Sequence, residues 1–127
     1  MDYEISFVES GSFHLVKTGG EMNCEDFLRM GADLLRHEKF QAGGNVVFDH
    51  RRLDLSAVRQ DTLDEIRGFH RENEEAIGAG KSAIVVGSGR VDAWNGLWRM
   101  GRKIVTSNRV EVFEDMDCAV KWINQSE

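Results

Sequence analysis

Apolar and polar positions change period several times along this chain, and each change marks an element. Tyr3, Ile5 and Phe7 alternate with Glu4 and Ser6, the period of a strand with one buried face. Glu9-Ser10-Gly11-Ser12 makes a tight turn, and residues 13–16 pair back as a hairpin. Thr18-Gly19-Gly20 breaks that strand. Asn23 can cap a helix whose apolar stripe is Phe27, Met30, Leu34 and Leu35, with Glu25 and Asp26 in the first turn, where acids face the unpaired backbone N–H groups.

Gly43-Gly44 closes that region, and Val46-Val47-Phe48 follows without alternation. Such a run suits a parallel strand covered on both faces. The polar stretch 49–52 leads through Leu53-Asp54-Leu55-Ser56 to a second helix striped by Leu63, Ile66, Phe69/His70, Asn73 and Ile77, which Gly78 to Gly80 terminate. Ala83-Ile84-Val85-Val86 is a second unbroken run, ended by Gly87-Ser88-Gly89. A third helix carries Val91, Trp94, Leu97 and Trp98. Val110, Val112 and Phe113 form a last strand, Asp115 caps, and Met116, Ala119, Val120 and Ile123 fall at i, i+3, i+4 and i+7 on a final helix. The order is β-β-α-β-α-β-α-β-α, an α/β domain spanning 1–127. Its five-stranded mixed sheet should have a parallel centre at 46–48 and 83–86, with Val47, Phe48, Ile84 and Val85 buried.

At 127 residues the chain can bury roughly two-thirds of its unfolded surface, so a single ordinary core suffices. Sixteen basic residues against 22 acidic ones give a net charge of −6, which argues against a nucleic-acid partner. Cys24 and Cys118 both adjoin acids, a setting that raises a thiol pKa. The opening residues lack the positive start and apolar run of a secretory signal, so a cytoplasmic location is expected.

Four segments carry a family resemblance: the hairpin with Gly19-Gly20-Glu21; Val47-Phe48-Asp49-His50-Arg51 with Leu53-Asp54-Leu55-Ser56; Ser82-Ala83-Ile84-Val85-Val86; and Val112-Phe113-Glu114-Asp115 with Ala119 and Trp122-Ile123. In this order and spacing the chain resembles the SpoIIAA-like, anti-sigma-factor-antagonist-like branch of the STAS/SEC14 superfamily. The resemblance implies helices mainly on one face of the sheet and action by binding rather than by chemistry. Family members that act as antagonists carry a phosphorylatable serine in an Asp-Ser-Ser-Gly-like turn. Here Leu53-Asp54-Leu55-Ser56-Ala57 lacks the paired serines and the glycine, so Ser56 is expected to be a helix cap or turn residue.

Several groupings could carry chemistry. Gly80-Lys81-Ser82 ends like a phosphate-binding P-loop, but position 75 is Glu75 and a strand follows instead of a helix, which excludes that loop. Asp49, His50 and Arg51 leave one probable central strand, while Ser88, Gly89 and Arg90 leave its neighbour; together they could hold a ligand or anion. A hydrolase arrangement of Asp49, His50 and Ser88 can be written, but no nucleophile-elbow motif supports it. The four histidines lack metal-ligand spacing, and no cofactor or metal is implied. From Arg90 to Lys103 four basic residues meet one acid, Asp92. Trp94, Trp98, Arg99, Arg102 and Lys103 would make a surface for a protein partner or a peripheral membrane contact. Trp94 also continues the apolar stripe, which favours the core for it and partial exposure for Trp98.

The sequence therefore supports a non-enzymatic binding or regulatory domain acting through protein–protein contacts, with self-association as a homodimer. The alternative is a binder of a lipid or other small apolar or amphipathic ligand. An enzyme using Asp49, His50 and Ser88 ranks third.

Overall fold

A computed structural model describes residues 1–99 and 108–125, with 97–99 as backbone alone. Five strands form one sheet in the order β1-β2-β3-β4-β5: β1 (Asp2–Val8), β2 (Phe13–Glu21), β3 (Asn45–Asp54), β4 (Lys81–Val85) and β5 (Arg109–Phe113). β1 is antiparallel to β2, and every later pair is parallel. The helices are α1 (Cys24–Leu35), α2 (Gln60–Glu72), the single turn α3 (Glu74–Ile77), α4 (Val91–Arg99) and α5 (Met116–Asn124).

The expected caps are in place. The Asn23 side chain accepts from the Asp26 N–H, and Asp115 Oδ1 accepts from the Cys118 N–H. The second helix is shorter than its stripe suggested, because Asn73 Nδ2 donates to the Phe69 carbonyl at 2.8 Å and the helix restarts beyond it. Gly78, at φ 74°, then turns the chain where a Cβ would lie 2.2 Å from the Gly43 nitrogen, so only glycine lets these two turns meet. Two strands run further than expected. β2 continues through Thr18-Gly19-Gly20 with a register shift between Lys17 and Gly19, and β3 absorbs the polar stretch 49–52.

Adjacent strand residues point to opposite faces, and the two faces meet different neighbours. Val47, Ala83 and Val85 pack with Ala119 and Ile123 of α5. Val46 and Val16 pack with Met30 and Leu34 of α1, while Leu53 meets Ile66 of α2. Trp94 of α4 also reaches this second face, where its ring stacks on His50. Helices α1, α2 and α4 thus share one side and α5 covers the other. Lys81, only 6 % exposed, fastens α5 from below: its Nζ donates to the Trp122 carbonyl at 2.9 Å and the Gln125 carbonyl at 2.8 Å.

Candidate functional site

β3 separates two neighbours that the sequence had grouped together. Asp49 and Arg51 stand two apart on the α5 side and form a bidentate pair, Nε to Oδ1 and Nη2 to Oδ2, both at 2.8 Å. That guanidinium, ahead of every other influence, holds the Asp49 carboxyl below its ordinary value. His50 points the other way and is 4 % exposed. Its Nδ1 lies 2.7 Å from Thr18 Oγ1, and its ring packs among Phe27, Phe48 and Trp94. Burial pushes its pKa down to about 4, with the Asp49 charge opposing weakly, so the imidazole is neutral near pH 7.

His50 forms part of the wall of a cavity of about 790 Å³ between the sheet and helices α1, α2 and α4. Phe48 and Ile84 make its floor, Phe27 and Leu34 one side, and Phe69 and Trp94 further walls. Arg67, His70 and Glu74 are polar groups of the lining. Burial also holds the His70 pKa down. The cavity explains where the burial pattern departs from expectation. Val47 and Val85 are fully buried, whereas Phe48 and Ile84 are only half-buried: both line the cavity, although Phe48 also packs against the cluster around Met30 and Leu34 of α1.

The other candidates fall elsewhere. Ser88, Gly89 and Arg90 are exposed beyond β4. The Gly89 N–H, which could have met an anion, donates instead to Glu114 Oε1 at 2.9 Å. The Asp49, His50 and Ser88 arrangement is not assembled: Asp49 lies across the sheet from His50, and Thr18 rather than a carboxylate meets Nδ1. Stretch 49–52 is part of the strand, and Asp49 and Arg51 pair with each other within it. Trp94, at 4 % exposed, belongs to the interior and corrects its place in the partner surface. The side chains of Trp98 and Arg99, and Arg102 and Lys103 altogether, lie outside the described residues. Ser56 sits in an exposed turn, its N–H donating to Asp54 Oδ1 at 2.9 Å, while Arg59 holds the cap position of α2.

The cysteines are unpaired with each other. Cys24 donates to Glu65 Oε2 at 3.0 Å, and burial first, then that carboxylate, raises the thiol to about 11. Among the described residues no three His, Cys, Asp or Glu side chains gather as a metal site, and no helix is long and apolar enough to cross a membrane.

Sequence reasoning missed Thr18, which it placed in a strand break, and the cavity-facing roles of Phe48, Phe69, His70 and Ile84. A usable signal was the even spacing of Val46, Phe48 and His50, which puts an imidazole on an apolar face.

No family model and no curated protein matches this sequence. Among solved structures, the chain is similar to an uncharacterized DUF3478-family protein with a SpoIIAA-like fold from Shewanella loihica PV-4, with a TM-score of 0.63 at 16 % identity. The match covers 96 % of this chain and 92 % of the other. At that identity the likeness speaks for architecture, and it agrees with the strand order, the mixed sheet and the helix placement above: the chain has a SpoIIAA-like fold.

Proposed function

We propose that this protein binds a small apolar or amphipathic molecule between the sheet and helices α1, α2 and α4. The observation that carries the reading is the cavity of about 790 Å³, walled mainly by aromatic and aliphatic side chains with a few polar groups among them. Small-molecule sites have roughly this size, ~300–1,000 Å³, and this composition. Side chains such as Phe48 and Ile84 gain little dispersion energy from open space, so an occupant that fills it would recover contacts they otherwise lack. A regulatory role through protein contacts has less to rest on: Trp94 is buried, and the rest of the tryptophan-and-arginine segment lies outside the described side chains.

The test is a titration of the full chain with N-phenylnaphthylamine, an apolar dye that brightens in dry surroundings. Saturable binding at one site per chain, weakened by Ile84→Trp with the fold intact, is the expected result. A signal that never saturates, or one that Ile84→Trp leaves unchanged, would overturn the proposal.

A further inference from the structure

We infer that the molecule held in this cavity presents a hydroxyl to Nε2 of His50, and is a neutral amphiphile rather than a carboxylate. The inference rests on the cavity reading above and adds the chemistry of the polar end.

The argument begins at Thr18. Its hydroxyl has one proton and two nearby groups, the Asp49 carbonyl at 3.2 Å and His50 Nδ1 at 2.7 Å. A carbonyl can only accept, whereas a ring nitrogen can be donor or acceptor. The arrangement that satisfies all three groups sends the Thr18 proton to the Asp49 carbonyl and has Nδ1–H donate to Thr18 Oγ1. Neutral His50 then carries its proton on Nδ1 and a lone pair on Nε2. No described residue is hydrogen-bonded to Nε2, although His50 is 4 % exposed and contributes to the cavity wall. A buried acceptor without a donor is costly, so this nitrogen selects a ligand that supplies one.

The neighbours fix the ligand class further. Phe27, Phe48 and Trp94 surround the ring, and burial keeps it uncharged. A carboxylate offers only acceptors and would face the Nε2 lone pair across an apolar wall. An alcohol offers a proton and carries no charge to desolvate. Among the described lining residues the charged groups are Arg67, Glu74 and Glu111, and the one cation, Arg67, is already paired with Asp64. Thr18 is a positioning residue in this scheme, acting through the tautomer it enforces.

Three probes of equal chain size separate the possibilities by displacement of N-phenylnaphthylamine from the full-length protein: octanol, heptyl methyl ether and octanoate. The ether keeps the oxygen and lacks the proton. Octanol is expected to bind about tenfold more tightly than either of the others, the size of one buried hydrogen bond. In Thr18→Val the octanol-to-ether ratio should fall toward one, a comparison made within one variant and so independent of its overall stability. Nitrogen NMR of the free protein should show His50 protonated at Nδ1, with the Nε2 resonance moving on addition of octanol. Equal binding of octanol and ether, tighter binding of octanoate, or a proton found on Nε2 in the free protein would each overturn this inference while leaving the cavity reading in place. If the dye itself fails to bind saturably, both readings fall.

Discussion

The two faces of the sheet are built from the same strands and end in different states. On one, Val47, Ala83 and Val85 lie against Ala119 and Ile123, and each of these five is at most 2 % exposed. Alanine on both sides of that contact lets α5 sit close, and the layer is filled. On the other, larger residues such as Phe48 and Ile84 alternate with those valines, yet three helices cover them without closing on them. Apolar character is similar on both faces. What differs is how the space is filled: small residues meet α5 on one side, whereas bulky rings and a histidine border the cavity on the other. The α5 face is filled, whereas the other combines two packed clusters, around Met30 and Leu34 and around Leu53 and Ile66, with the open space of the proposed binding.

The largest expected effect tests that division directly. Ile123→Ala removes a side chain from the filled face and should cost about 2–5 kcal/mol, the usual range for a buried isoleucine. Ile84→Ala deletes the same atoms from a wall that already faces open space, and should cost well under half as much. Urea unfolding of both variants checks the pair. Equal losses would mean that the two faces are packed alike.

Acid should act on the spacious face first, because that is where the buried histidines are. His50 in the folded chain has its pKa near 4, below the value of about 6.5 for an exposed histidine. The folded state therefore favours the neutral ring. That contribution is fully present above about pH 6.5 and is lost as the pH falls toward 4, because the unfolded chain takes up a proton that the folded chain refuses. The loss from His50 is on the order of 3 kcal/mol across the window. Burial pushes the His70 and His14 values down as well, which adds in the same direction. Unfolding measured from about pH 7 to about pH 4.5 should show this slope, and His50→Phe should flatten it. An unchanged slope in that variant would remove His50 as its source.

Lys81 belongs to the filled side, where it ties β4 to the end of α5 through two carbonyls. Lys81→Met keeps most of the buried stem and removes the donors, so a loss of about 1–3 kcal/mol is expected. The dye should bind this variant as it binds the parent. Loss of binding would show that the two faces are coupled through α5.

Much of this division was legible in the sequence, and the illegible part has a physical reason. Caps at Asn23 and Asp115 and the two unbroken runs placed the helices and the parallel centre, because each rests on local geometry. The length of β3 was hidden, since Asp49, His50 and Arg51 read as loop residues by polarity. They are tolerated in a strand because Asp49 pairs with Arg51 on one face and His50 with Thr18 on the other. The cavity was hidden more thoroughly. Val47 and Phe48, or Val85 and Ile84, are equally apolar, and periodicity tells which way a side chain points but not how far away the next layer stands. The site followed from Thr18, thirty-two positions from His50 in sequence, which no spacing rule connects.

The smallest expected change in stability is also the sharpest probe of the open face. Ile84→Trp adds a large ring to the cavity floor. In a filled core such an enlargement forces rotamers and backbone aside and typically costs about 1–3 kcal/mol. Here the added atoms enter the cavity of about 790 Å³, so the unfolding free energy should move by less than about 1 kcal/mol. Binding should respond in the opposite proportion, because the ring takes up space beside Phe48 and His50 that the ligand requires. Urea unfolding and dye titration on the same preparation give both numbers. A stable variant with weakened binding keeps the contrast between the faces; a strongly destabilised one would show that the floor of the cavity is packed as tightly as the face beneath α5.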